Sequence, residues 1–507
     1  MVTSHSEVSD SKVDLSPLRN FRFDLPAGLV VFLVALPLCL GVALASGAPL
    51  LSGLIAGVVG GLVIPLVSRS PLSVCGPAAG LAAIVLAGIQ QMGSFEAFAA
   101  VVVVAGVLQL VLGLSRAGGI VSFMPSSVIK GMLAAIGLLL ILKQLPYALG
   151  LPGGKLDFSP GALAGIHPGA LALGVVSLAV LILWEQFKPK RLAVVPSALL
   201  AVVVATLLNE VLRAVAPSLA LGTGYLVTLP VDGAASLVEQ LRSPDWRVLG
   251  QSGAWVLAVT VGVVASLETL LSLDAVDRMD PYHRRTPLNR ELVAQGLGNA
   301  LSGLLGGLPV TSVIVRSSAN VNAGGRTRLA TMVHGALLLG AVLLAGDLLR
   351  RIPLASLAAI LLVTGYKLAK PALFRAMYSL GWNQFVPFVV TIGAILVTDL
   401  LKGIVVGLGV ALAFILRNHL RAPYTLRHEG DRFVISLKGE VYFFNKASLL
   451  QALERLPEGS VVVVDGSAAD FIDHDIIEAL GSFGHAAPQR NIRLEMRDIG
   501  RTPAMVA

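Results

Sequence analysis

The sequence is poor in charge, in aromatic rings and in cysteine. Only 13% of its 507 residues are Asp, Glu, Lys or Arg and 6% are Phe, Trp or Tyr, while 55% are hydrophobic. Soluble domains carry about 25% charged residues. So little charge cannot cover the surface of so long a chain in water, which excludes both an ordinary soluble domain and a disordered chain. Two cysteines, Cys39 and Cys75, both in apolar stretches, exclude a disulfide-built secreted scaffold and leave the redox compartment open. A positively charged leader followed by a short apolar core is missing from the polar stretch 1–25, so a cleaved signal peptide is not expected. Phosphate-binding loops, metal-ligand clusters and nucleophile–base pairs are missing as well, so the expectation is no enzyme, no cofactor and no metal.

Apolar sequence is what remains, together with 53 glycines, as close helix packing in lipid requires. From Pro26 to about Arg417 one apolar segment follows another, each near the length that a bilayer core of about 30 Å demands. Fourteen candidate spans fall near 27–47, 51–67, 72–91, 96–115, 122–145, 168–187, 193–213, 254–273, 290–306, 308–323, 328–346, 353–369, 384–400 and 402–417. The reading is an all-α polytopic membrane protein. A net charge of +8 is also a property of nucleic-acid binders, but in a membrane protein Lys and Arg collect in cytoplasmic loops, and no nucleic acid is expected. With the N-terminus inside, inner loops hold Arg69, Arg116, the Lys188–Arg191 run, Arg278, Arg284, Arg285, Arg326, Arg328, Lys367, Lys370 and Arg375. The outer loops keep Lys155, Arg213, Arg242, Arg247, Arg350, Arg351 and Lys402. That bias puts both termini in the cytoplasm.

After Arg421 the texture changes. Residues 424–507 hold 9 Lys+Arg against 12 Asp+Glu, so the tail is −3 and the remainder +11. Expected there are strands at Arg432–Leu437, Glu440–Phe444, Val461–Asp465 and Ile492–Met496, with helices at Lys446–Leu456 and Asp475–Phe483. This describes a small α/β module. The domain reading is therefore a cytoplasmic segment 1–25, a membrane domain 26–421 and a tail domain 422–507.

Two spans look broken. Pro71–Gly80 begins extended, meets Gly76-Pro77 and resumes as helix; Gly306–Ser318 does the same around Pro309. These are the third and tenth of fourteen, seven apart, as in two inverted repeats that each carry a discontinuous helix starting at mid-membrane. Each such helix start presents about half a positive charge and several free N–H groups, and two facing one another make an anion site. Arg316, in the first turn of the second half-helix, adds a full positive charge. Its alternative role is an internal pair with a carboxylate. Glu268 is the other deep charge: it binds a cation, takes up a proton or neutralises Arg316. Thr269 and Ser272 stand by as oxygen ligands, Ser272 on the same helix face. Gln295 and Asn299 are read as bonding neighbouring helices.

These segments resemble the SulP family of sulfate permeases and related anion transporters, from about Asp24 to the C-terminus. The resemblance is carried by Leu36-Pro37-Leu38 with Ala45-Ser46-Gly47, by Ser73–Gly80, by Ala265–Leu271, by Asn289-Arg290-Glu291-Leu292 with Gln295-Gly296, and by Gly306-Gly307-Leu308-Pro309 through Asn320 to Gly324-Gly325-Arg326-Thr327. It implies a seven-plus-seven inverted repeat with a core domain (spans 1–4 and 8–11) that moves against a gate domain (5–7 and 12–14), commonly as a homodimer. By position it implies an anion contacting Cys75, Gly76, Ala78, Ser312, Val313, Ile314, Val315 and Arg316, with Leu38 and Val42 nearby. It likewise assigns Glu268 to the acidic position that couples sodium or protons. Val313 and Val315 stand where some members have small polar residues, which shifts recognition toward backbone N–H groups and Arg316. The tail resembles a short form of the family's cytoplasmic STAS domain, through Val461–Ser467 and Phe471-Ile472-Asp473, with Ser467 read as a helix N-cap. The implied function is secondary active transport of a small inorganic anion, sulfate or bicarbonate, in a bacterial inner membrane. An uncoupled channel or exchanger, a dicarboxylate carrier and a membrane anion sensor are the alternatives.

Overall fold

A computed structural model describes residues 19–119, 125–151, 165–187, 195–229, 237, 239–398, 400–419, 424–429, 432–442 and 445–499. Residues 1–18, Lys155, the Lys188–Arg191 run and Phe444 lie outside the described residues. The chain divides into two compact units, Met1–Leu408 and Gly409–Ala507.

The first unit is helical, and a helix lies in each of the fourteen apolar segments. In chain order these are α1 (Phe21–Ala45), α2 (Leu50–Leu62) with its short continuation α3 (Ile64–Val67), α4 (Ala82–Met92), α5 (Phe95–Leu114), α6 (Ser126–Leu149), α7 (Pro168–Phe187), α8 (Ser197–Val215), α9 (Ser252–Met279) and α10 (Leu288–Leu304). Then follow α11 (Ile314–Asn322), α12 (Leu329–Leu344), α13 (Gly346–Leu349), α14 (Leu354–Leu368), α15 (Pro371–Ser379), α16 (Trp382–Val397) and α17 (Leu400–His419). Among the described residues eight helices are long and apolar enough to cross a membrane. Five of the other six segments fold as shorter helices, two of them because a strand replaces the first turns: β1 (Cys75–Pro77) ahead of α4 and β2 (Val310–Ser312) ahead of α11.

The helices sort into two packing groups. In one, α5 lies along α10 and α9, while α12 packs on α1 and α2. The α5–α10 contact is backbone on backbone: a Cβ on Gly106 would sit 2.4 Å from the Ala300 nitrogen, and one on Gly296 would sit 2.5 Å from the Leu110 nitrogen. In lipid, where apolar burial no longer drives helices together, such close approach is what holds them. In the other group α6 packs on α14 and α16, and α7 on α8 and α14. The α1 helix starts at Phe21, inside the polar stretch read as a cytoplasmic segment, because Asp24 is buried: it accepts the backbone N–H groups of Arg326 (2.7 Å) and Thr327 (3.0 Å) and the Thr327 hydroxyl (2.5 Å).

The second unit holds a four-stranded sheet in the order β3 (Tyr424–Glu429), β4 (Arg432–Val441), β5 (Val461–Ile472), β6 (Arg493–Arg497). The β3–β4 pair is antiparallel and the others parallel, with α18 (Lys446–Glu454) and α19 (His474–Ala486) as the crossovers. Its core joins Ile435, Leu437, Val462 and Val464 of the sheet to Ile476, Leu480 and Phe483 of α19. Three details differ from the sequence reading. The strands expected at Arg432–Leu437 and Glu440–Phe444 form one strand, whose register slips on either side of Lys438–Gly439, a bulge rather than a turn. The strand β3 carries no strong alternation and has its place only through pairing with β4. Ser467 does not cap a helix: it lies within β5, its N–H on Asp465 Oδ1 (2.9 Å), and Asp473 caps α19 by accepting the Asp475 N–H (3.0 Å).

Candidate functional site

The two broken spans meet. β1 and β2 pair antiparallel, with Cys75 opposite Ser312, Gly76 opposite Thr311 and Pro77 opposite Val310. Each then turns into helix, the first through Ala78 and a 3-10 turn (Ala79–Leu81), the second through Val313. Neither start is capped by a side chain, although Ser, Thr, Asp or Asn would ordinarily occupy such a position. The first N–H groups of both half-helices thus keep their hydrogen-bonding capacity for something other than the chain.

Arg316 lies between them, 1% exposed, on the first turn of α11. Its Nη2 donates to the Pro77 carbonyl at 3.3 Å, while Nε and Nη1 are buried with no hydrogen-bond partner. Among the described residues no carboxylate forms an ion pair with it, so the internal Glu–Arg pair is not the arrangement found. The guanidinium lies directly over Gly76: a Cβ there would be 2.0 Å from Nη1. Glu268 of α9 rests against the other half-helix. A Cβ on Gly80 would lie 2.5 Å from its Oε1, and its Oε2 is buried without a partner. The two side chains form no ion pair with one another, although both rest on the first broken span, Arg316 on Gly76 and Pro77 and Glu268 on Gly80. Thr269, fully buried, accepts the Ser312 N–H at 3.3 Å and so touches β2 directly. Ser272 is buried one turn further along α9, and among the described residues nothing bonds its hydroxyl to either strand.

Polar side chains that the sequence reading left aside hold this geometry. Asn299 on α10 clamps both backbone groups of Val310, donating to its carbonyl (2.9 Å) and accepting its N–H (2.5 Å), and it also donates to Gln109 (2.6 Å). Gln295 donates to Cys75 Sγ (3.0 Å) and to Glu291 Oε1 (3.1 Å); the Ser68 hydroxyl donates to the other oxygen of Glu291. Ser73 and Ser312 share a hydroxyl bond (2.6 Å), the Val74 N–H reaches Ser317 Oγ (2.9 Å), and Asn320 Nδ2 donates to the Leu72 carbonyl (3.0 Å). Gln295 and Asn299 were read as helix-to-helix bonds. Asn299 does bond a neighbouring helix, through Gln109 of α5, and both residues also bond the strands; their four-residue spacing, which puts them on one face of α10, was the visible signal. Where α9 hands over to α10, burial works against ionisation of Asp280. Its hydrogen bonds from the Arg284 side chain (2.6 Å) and the Tyr282 N–H (3.0 Å) outweigh that and hold the carboxyl below the usual carboxylate range.

A cavity of about 490 Å³ lies between the two helix groups and reaches α11 at Val315, next in sequence to Arg316. Leu38 of α1 and Val315 of α11 form its inner wall, and Trp184, Glu185, Thr364 and Lys367 line the far end. Of the first turn of α11, Val315, 52% exposed, faces this space. Cys75, Gly76, Ala78 and Ser312 are buried behind it, Val313 half-buried beside them. Val42 lies buried one turn beyond Leu38 and does not line the cavity.

With this geometry in view, the sequence pattern of the sulfate permease family matches residues 21–391. The chain belongs to that family. It is a multi-pass membrane protein, and among its relatives in the sulfate permease family are transporters rather than enzymes. It is 31% identical over 428 residues to the bicarbonate transporter BicA of Picosynechococcus, covering 78% of this chain and 70% of that one. With the putative sulfate transporter YvdB of Bacillus subtilis it shares 26% over 499 residues, 94% of this chain and 91% of that one. The transmembrane domain of a cyanobacterial BicA superposes with a TM-score of 0.65 at 25% identity, over 78% of this chain and 98% of that domain. SLC26A9 superposes with a TM-score of 0.77 over 96% of this chain and 86% of its own at 16% identity, a likeness of fold.

Proposed function

We propose that this protein is a secondary active transporter of a small inorganic anion, bicarbonate or sulfate, in a bacterial inner membrane. The observation that carries the reading is Arg316: a cation 1% exposed, with Nε and Nη1 unpartnered, between two uncapped helix starts, its neighbour Val315 lining a cavity. An unpaired buried charge is costly, and an anion seated among these donors is what would offset it. The bicarbonate and sulfate transporters among its relatives support the same substrate class. In this reading the chain crosses fourteen times as a seven-plus-seven inverted repeat, with both termini cytoplasmic. The α1–α5 and α9–α12 group is the core that moves against the α6–α8 and α14–α17 gate, the tail is STAS-like, and the assembly is a homodimer. The anion meets Cys75, Gly76, Ala78 and Ser312–Arg316, with Leu38 and Val42 behind. Glu268 takes up sodium or a proton, with Thr269 and Ser272 beside it, and Thr269 carries that event to β2 through the Ser312 N–H.

The test is uptake by purified protein in liposomes, with labelled bicarbonate or sulfate and imposed sodium or proton gradients. Accumulation of one anion above its equilibrium level is expected. Binding without flux would reduce the protein to an anion sensor, and dissipative flux alone would make it a channel. Gly76→Ala probes the recognition geometry. Because the new methyl must displace the Arg316 guanidinium, uptake is expected to fall to background while the protein remains monodisperse; normal uptake by this variant would place the anion elsewhere.

A further inference from the structure

A second cavity, of about 600 Å³, opens on the side of the helix bundle where α7 and α14 lie together. Along Leu178, Ile182 and Leu362 its wall is apolar, and it turns polar where both helices end, at Tyr366, Lys367 and Lys370. Ile182 is 51% and Tyr366 56% exposed, which in a membrane-embedded chain means contact with lipid. Tyr366 has the ring-and-hydroxyl character that settles at the headgroup level. Of the charged groups lining the cavity, two are lysines and one is Glu185, and Glu185 is already held by Lys367 (Nζ to Oε1, 2.5 Å). Lys370 is exposed and forms no ion pair among the described residues. Leu181, Glu185, Val363 and Lys367 also line the cavity that reaches α11, so the Lys367–Glu185 pair stands as the partition between the two spaces.

We propose that this lateral cavity binds an anionic phospholipid, with an acyl chain along Leu178, Ile182 and Leu362 and the headgroup phosphate between Lys367 and Lys370. An apolar groove that ends in excess positive charge at the membrane surface complements an anionic lipid and not a zwitterionic one, whose own ammonium group meets the same lysines. The phosphate competes with Glu185 for Lys367. Because Glu185 also faces the inner cavity, lipid occupancy changes the charge at the mouth of the anion's route. That second consequence rests on the transport reading; the binding itself does not.

Native mass spectrometry of the full chain, titrated with phosphatidylglycerol and phosphatidylcholine of matched acyl chains, tests the site. Phosphatidylglycerol is expected to bind at least about fivefold more tightly, the equivalent of about 1 kcal/mol for a lysine beside an anionic headgroup. Lys370→Gln together with Lys367→Gln is expected to bring the two lipids level, and Lys370→Arg to keep the preference. Both lysines are exposed and an exposed pair contributes little stability, so the variants are expected to fold. Equal binding of the two lipids to the unaltered chain, a preference unchanged by the double substitution, or displacement by millimolar inorganic phosphate would each overturn the lipid site. Anion uptake in phosphatidylcholine liposomes with and without phosphatidylglycerol, expected to differ at least twofold for the unaltered chain only, tests the link to the inner cavity. A chain that keeps the lipid preference but moves no anion refutes the transport reading and leaves the lipid site standing.

Discussion

Arg316→Ala is expected to abolish anion-dependent stabilisation of the purified protein while raising its melting temperature in buffer without substrate anion. The two effects have one cause. The guanidinium is 1% exposed, its Nε and Nη1 have no partner, and no described carboxylate neutralises it. The folded protein therefore bears the cost of a desolvated charge that only an anion relieves. Truncating one member of a buried charge pair costs about 2–5 kcal/mol, so affinity should drop by at least about thirtyfold. Removing the charge removes the desolvation cost as well, which makes the variant more stable on its own. Thermal melts over an anion titration read both effects, because a ligand that binds only the folded state raises its stability with concentration. A normal anion-dependent shift in Arg316→Ala would contradict its role, and a lower melting temperature without anion would mean that the packing of Arg316 and its bond to the Pro77 carbonyl outweigh the desolvation cost. Arg316→Lys is a useful companion: it keeps the charge but loses the planar fork that reaches the Pro77 carbonyl, so partial affinity is expected.

Glu268→Gln should separate coupling from translocation. Its carboxylate rests on the Gly80 backbone at the start of one half-helix, Oε2 buried without a partner, while Arg316 occupies the start of the other. A glutamine keeps the shape and loses the charge. Concentrative uptake driven by a sodium or proton gradient is expected to disappear, whereas exchange of labelled for unlabelled anion across the same liposomes continues within a few-fold of the unaltered rate. The neighbouring Thr269 bond to the Ser312 N–H gives this pairing of effects a physical route, since whatever occupies Glu268 acts one residue away on the strand that leads to Arg316. Gradient-driven accumulation retained in Glu268→Gln would exclude the coupling role. Loss of exchange together with coupling would make Glu268 part of the anion site itself.

Much of this protein follows from local sequence. Composition and apolar run length determine that it lies in a membrane and where its helices fall, because the bilayer imposes length and polarity on each segment separately. The breaks at Gly76-Pro77 and Gly306–Pro309 are legible for the same reason: glycine and proline act on the backbone where they stand. Arg316 is conspicuous as a charge in an apolar context. The tertiary structure alone decides what those breaks do. Cys75 pairs with Ser312 across more than two hundred residues, and nothing near either residue encodes that partner. The Gln295–Cys75 bond and the bonds that Asp24 accepts from Arg326 and Thr327 likewise cross more than two hundred residues, while the Asn299 clamp on Val310, only eleven residues away, exists because the chain folds back after α10. Whether Glu268 and Arg316 neutralise one another was likewise open, because two isolated charges in lipid are as easily paired as kept apart. In the assembled fold Arg316 reaches from α11 to Gly76 and Pro77 and Glu268 reaches from α9 to Gly80 with no ion pair between them, an arrangement that belongs to the fold and to neither segment alone.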